Sequence, residues 1–212
     1  MRPRRRGGGL GRAGSRPPRQ RRGNRVFYLV AEGEGTEYDY VRRLNGAYGA
    51  DLKFLIRMPP PATRRNGLLP SRVVQACSGA DPDFHEVWGL FDHDGRSNID
   101  QVCACARGTR VKVALSHPAF ELWLLLHFQD FTASAQHGKN GLIIDKLRAH
   151  PAFEDFGGGG DKRISDARFR ALTEDGGIQR AVRRPYVGRD TSRVSTPVRH
   201  RATATPPPIC TC

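Results

Sequence analysis

The 212-residue chain carries 35 Lys and Arg against 21 Asp and Glu, a formal net charge of +14, and 38% of its residues are hydrophobic. That length gives one domain of ordinary size with a real core. The longest apolar run, residues 120–128, contains Glu121 and His127 and falls far short of the ~20 residues a membrane helix needs, so a soluble, cytoplasmic protein with no membrane role is expected.

Residues 1–24 contain no aromatic or β-branched residue and are expected to be disordered. Residues 1–25 hold ten arginines and no acid, residues 179–212 hold seven arginines and one acid, and the stretch between them holds 18 basic and 20 acidic residues. The positive charge therefore sits in the tails, outside a near-neutral body. Arg-rich arms raise affinity for polyphosphate without reading sequence, and unselected arginine-rich drift writes the same composition. Arg25–Ala31 reads as the first strand, an unbroken apolar run of the kind covered on both faces. It leads into Glu32-Gly-Glu-Gly-Thr-Glu37, where Thr36 is expected to N-cap a helix carrying Tyr38, Val41 and Leu44.

Residues 51–58 alternate Leu52, Phe54 and Ile56 as a second strand, stopped by Pro59-Pro60-Pro61 and a polar loop. Residues 71–78 form a short helix with Val73, Val74 and Cys77 on one side. Residues 86–91 are the third strand. Ser97 is placed to cap a helix with Ile99, Val102 and Cys103, and residues 110–115 are the fourth strand. Pro118 opens a helix over 118–128 that is apolar almost all round and so expected to be buried. This alternation of strand and helix predicts an α/β fold, an open parallel sheet with helices on both faces. Residues 138–149 read as a further helix, 157–160 as a flexible glycine joint, and 161–184 as one helical stretch with Ile164, Ala167, Ala171 and Leu172 as its apolar positions. One domain over 25–185 is expected, with a helical C-terminal part and a disordered Pro/Thr/Arg-rich tail over 186–212.

Five cysteines form no C-x-x-C pair, and Cys103-Ala-Cys105 and Cys210-Thr-Cys212 are too far apart in sequence to support a zinc site; the odd count, with no signal peptide, fits reduced thiols. Two glycine motifs fail as nucleotide loops. Gly33-Glu-Gly35 has Tyr38 where the dinucleotide fingerprint needs a third glycine, and Gly157–Gly160 is followed by Asp161-Lys162-Arg163 where a P-loop needs Gly-Lys-Ser/Thr. The chemistry lies in the acids. The third strand ends in Asp92-His93-Asp94-Gly95, and residues i and i+2 of a strand share a side. Taken alone, that motif is either a solvated turn or a pair of carboxylates relieved by a hard cation such as Mg²⁺. If strand one lies beside strand three, Glu32 faces the same cleft and makes three acids from two strand ends, a metal site. Glu34 and Glu37 read as acids complementing a helix dipole. Glu121, a carboxylate in an apolar helix, is either a first-turn cap or a cleft-facing ligand. His127 reads as a hydrogen-bonded packing histidine.

Glu32-Gly33-x-x-Thr36-Glu37, then Phe91-Asp92-His93-Asp94, then Ser116-x-Pro118-x-Phe120-Glu121-Leu122-Trp123-Leu-Leu-Leu-His127-Phe128 resemble, in that order, the signature of the RloB-like family. That resemblance implies a TOPRIM-like domain and a Mg²⁺-dependent (or Mn²⁺-dependent) nuclease acting on DNA or RNA. It also implies a place in phage-defence or restriction loci beside an ATPase partner. By position it makes Glu32 a general acid/base or ligand, Asp92 and Asp94 metal ligands, Glu121 a completing acid, and Lys162 a phosphate-facing cation. The rival expectation is a non-catalytic module that binds nucleic acid or the ATPase. A closing Asn-Pro-Ser-Thr-like element of the family has only a faint counterpart in residues 194–198.

Overall fold

A computed structural model describes residues 24–131 and 140–184. Four strands, β1 (Arg25–Ala31), β2 (Phe54–Arg57), β3 (Glu86–Asp92) and β4 (Val111–Ser116), form one all-parallel sheet in the order β2-β1-β3-β4. Between them run α1 (Thr36–Tyr48), α2 (Pro70–Ser78) and α3 (Ile99–Arg107); after β4 come α4 (Glu121–Leu125), α5 (Asn140–Arg148), α6 (Asp166–Thr173) and α7 (Gly177–Arg183).

Strand alternation splits the core into two layers. Val30, Val87, Phe91 and Val111 pack with Val73, Val74 and Cys77 of α2 and with Ile99, Val102 and Ala106 of α3. Ala31 and Leu90 pack on the other face with α1 and the helices from α4 onward. Gly89 lets α2 lie close on the sheet, since a Cβ there would stand 3.2 Å from Val73 Cγ1. The register pairs Ala31 with Leu90, and the Glu32 amide bonds the Leu90 carbonyl at 3.0 Å. The ends of β1 and β3 are thus level and adjacent. Among the described residues no helix is long and apolar enough to cross a membrane.

Several boundaries differ from the sequence reading. The second strand begins only at Phe54, and Leu52 is exposed. Asn98, not Ser97, precedes α3, and no side chain caps it. The predicted helix over 118–128 is helical only over Glu121–Leu125, because the Pro118 carbonyl is taken by the Asp94 amide (3.1 Å) and the chain past Leu125 tightens into three-residue bonds such as Phe128 N–H to Leu125 O. The stretch 161–184 is broken in two by Gly176, in the left-handed region at φ 76°, and by Asp175 at φ 49°. Of its expected apolar positions Ile164 and Leu172 are buried, whereas Ala167 is exposed. Gly157–Gly160 forms a tight turn with three left-handed glycines, closed by the Gly157 amide on the Asp161 carbonyl at 2.7 Å. The expected disorder of residues 1–23 and 186–212, the start of the predicted helix at 138–139, residues 194–198 and Cys210-Thr-Cys212 lie outside the described residues.

Candidate active site

At the carboxyl ends of β1 and β3 a cavity of about 480 Å³ opens, lined by Glu32, Glu34, Glu37, Asp92, Asp94, Glu121, Asn140, Lys162 and Arg163, with Asn66 and Gly67 on one wall. This is where ligands bind in open α/β sheets. All five side chains singled out from the sequence, Glu32, Asp92, Asp94, Glu121 and Lys162, border it.

Each arrives by a different route. Glu32 follows β1; its carboxylate accepts the Asp92 backbone N–H at 3.1 Å and the Arg96 guanidinium at 2.5 Å. Asp92 ends β3 on the face of Leu90. Asp94 is not its simple i+2 companion: the chain has left the strand, with Asp94 in the left-handed region at φ 44° and its amide on Pro118 O. Glu121 opens α4, only 5% exposed, and pairs with Lys162 Nζ at 2.7 Å while accepting from Asn140 Nδ2 at 3.2 Å.

Lys162 comes from the far end of the described chain, and α1 holds it. Thr36 is the first residue of α1, not its cap. Gly35 precedes the helix without a side-chain cap, and the Thr36 hydroxyl donates instead to the Lys162 carbonyl at 2.8 Å. The buried Asp39 carboxylate accepts from Arg163 Nε and Nη2 (2.5 and 3.0 Å) and from the Ile164 amide (3.3 Å). Three consecutive residues, 162–164, are thereby fastened to one helical turn.

The electrostatics are those of crowded carboxylates. Burial, reinforced by Glu37, Glu121 and Glu32, pushes the Asp92 carboxyl up to about 8, against a bond from the Phe120 N–H. Burial also pushes the Glu37 carboxyl up, its own amide pulling back, with Glu121 and Glu32 adding to the rise. Glu37 is 8% exposed and was read from sequence as a dipole-complementing acid; its place in the cavity was missed. Arg96 and Asn140 were missed as well. A 64-residue separation from Glu32 and a 19-residue separation from Glu121 leave no local pattern to find them by. His127 is fully buried, its Nδ1 bonding the Trp123 carbonyl (2.8 Å) and its Nε2 the Tyr40 hydroxyl (3.1 Å), in keeping with a packing histidine.

The donor set is all oxygen and mostly carboxylate, which suits Mg²⁺ or Mn²⁺ and no softer metal. Glu32, Asp92 and Asp94 are the side chains that would hold such an ion. Among the described residues, however, no three His, Cys, Asp or Glu side chains are gathered closely enough to enclose one, and Glu32 and Glu121 are bonded to Arg96 and Lys162.

No curated protein and no solved structure matches the chain. The family model described as RloB-like protein matches residues 27–186, from within β1 to just past α7. That span contains all of the sheet but the first two residues of β1, and every residue of the acidic cavity, and the chain belongs to the RloB-like protein family.

Proposed function

We propose that this protein is a Mg²⁺- or Mn²⁺-dependent nuclease that hydrolyses phosphodiesters of DNA or RNA. The carrying observation is the convergence of Glu32, Asp92 and Asp94 from two adjacent strand ends on one cavity that also receives Glu121 and Lys162. A bound ion supplies charge for a developing oxyanion and a water of lowered pKa. The chain's own part is to hold these acids in place, to present Lys162 to a phosphate oxygen, and to keep Glu32 within reach of a proton on attacking water. A TOPRIM-like role in phage defence beside an ATPase partner is proposed from the family resemblance.

The second reading, a non-catalytic module that binds nucleic acid or the ATPase, is favoured by one observation: Arg96 and Lys162 already neutralise two of the acids. The readings separate when the protein is incubated with DNA and RNA in Mg²⁺ or Mn²⁺, with and without the ATPase, beside Glu32→Ala and Asp92→Ala. A metal is worth several kcal/mol of transition-state stabilisation, and each ~1.36 kcal/mol is tenfold in rate, so either variant is expected to lose at least about a hundredfold. Equal cleavage by wild type and variants, or none with the partner present, sinks the nuclease reading.

A further inference from the structure

A cavity floored by carboxylates repels the polyanion that a nuclease must admit, so compensating cations are needed at its mouth. Most of the nearby cations are already engaged: Arg96 with Glu32, Lys162 with Glu121, and Arg42 and Arg163 sharing Asp39. The loop between β2 and α2 differs. Arg64 Cζ lies 4.2 Å from the centre of the Tyr38 ring and its Nε donates to the Pro59 carbonyl at 3.0 Å. Arg65 is exposed, its Nη1 on the carbonyls of Ala62 and Arg64 at 3.2 and 2.9 Å. Among the described residues neither pairs with a carboxylate, so each keeps guanidinium donors for an anion.

Two contacts tie the loop to the site. The Tyr38 ring under Arg64 is fixed by the Ala31 amide, which donates to its hydroxyl at 2.9 Å, one residue before Glu32. The Leu68 amide bonds the Glu32 carbonyl at 3.0 Å, and Asn66 and Gly67 line the cavity. Two positive charges therefore stand next in sequence to Asn66 and Gly67, through which this loop lines the cavity, on a segment bonded to the Glu32 backbone.

We infer that Arg64 and Arg65 bind the backbone phosphates of a nucleic-acid strand flanking the phosphodiester in the cavity. This rests on the reading of the cavity as a phosphodiester site, and the test is arranged so that either can fail without the other. The full chain is titrated against a fluorescein-labelled single-stranded oligonucleotide in EDTA, where no cleavage occurs, at a series of salt concentrations. The Arg-rich tails contribute alike to every variant and drop out of the comparison. Arg64→Ala/Arg65→Ala is expected to weaken binding about tenfold and to flatten the log-log salt slope by about one to two units, since each phosphate contact contributes 0.7–0.9. Arg65→Ala alone, at an exposed position, gives a smaller loss in the same direction, Arg65→Lys restores most of it, and Arg110→Ala, at the amino end of the edge strand β4 and away from the cavity, changes nothing. Unchanged affinity and slope in both Arg65→Ala and the double variant overturn the inference and leave the nuclease reading standing. Competition by ATP as effective as competition by unlabelled oligonucleotide overturns it too, by making the loop a nucleotide subsite.

Discussion

Asp39 offers a direct test of how the C-terminal part is tied to the sheet. Its carboxylate is 5% exposed and accepts four bonds, from Arg163 twice, Arg42 and the Ile164 amide. Asp39→Asn keeps the shape but turns one oxygen into a donor facing guanidinium donors. A bond to a charged group is worth about 1.5–3 kcal/mol. The arginines are well over half exposed on their side-chain surfaces, at 64% and 61%, so solvent screening argues for the lower end of the summed effect. The expected loss is about 2 kcal/mol, a fall in Tm of roughly 4–8 °C for a domain of this size. Arg42→Ala, which removes only the i,i+3 pair, should cost less than about 0.5 kcal/mol. Hydrogen exchange supplies the second readout: amides 161–165 lose protection in Asp39→Asn while those of β1 and β3 keep theirs. A change in Tm under about 1 °C with unaltered exchange over 161–165 would show that the carboxylate is not the clamp and that Lys162 is positioned by something else.

Burial pulls His127 down to about 4, below its ordinary 6.5, so its contribution to stability is fully present above pH 6.5, declines as pH falls, and levels off below 4. The difference in unfolding free energy between wild type and His127→Gln should fall by about 1.4 kcal/mol per pH unit across that window, about 3 kcal/mol in all; a flat difference refutes it. At Gly89 even a Cβ is crowded, since Val73 Cγ1 would stand 3.2 Å from it, closer than ordinary van der Waals contact, and Cys77 Sγ 3.7 Å away. Gly89→Val should cost about 1–3 kcal/mol in denaturant melts by prising α2 from the sheet, and a neutral result would mean that α2 packs more loosely than described.

The sheet was legible because it rests on local pattern. Short apolar runs closed by Pro, Gly or Asp mark β1, β3 and β4, and their alternation with helices dictates parallel pairing. The adjacency of Glu32 to Asp92 followed from one added condition, that β1 neighbours β3. Thr36 shows where local pattern misleads. It has the residue type of a cap, but its hydroxyl has a partner 126 residues away, and nothing near Thr36 announces Lys162. Glu37 fails for the same reason. An acid in a first helical turn is ordinarily solvated, but here Tyr38, Asp39, Tyr40 and Val41 are all buried with it because α4 and the 162–164 segment cover that turn. The break falls at the Gly176-Gly177 pair, a residue type that ends helices, whereas the expectation of one helical stretch rested on the apolar spacing of Ile164 and Leu172 alone.

Among the described residues, Glu32, Glu121 and Asp39 each form an ion pair, whereas Asp92 forms none, feels the Arg96 charge only at a distance, and sits amid three other carboxylates. A fold that needed only rigidity would not keep such a group there, because a half-buried carboxylate crowded by other carboxylates is costly and a neutral isostere relieves it. With its carboxyl raised to about 8 from 3.8, Asp92 contributes stability below pH 3.8 that is lost as pH rises through 8. Asp92→Asn should therefore unfold at higher temperature than wild type at pH 7.5, by about 1–3 kcal/mol, with the advantage shrinking toward pH 4, while cleavage is abolished. Destabilisation at pH 7.5 would mean that the carboxylate is satisfied where it stands. A gain in stability together with a loss of cleavage is the signature of an acid retained for its ligand rather than for the fold.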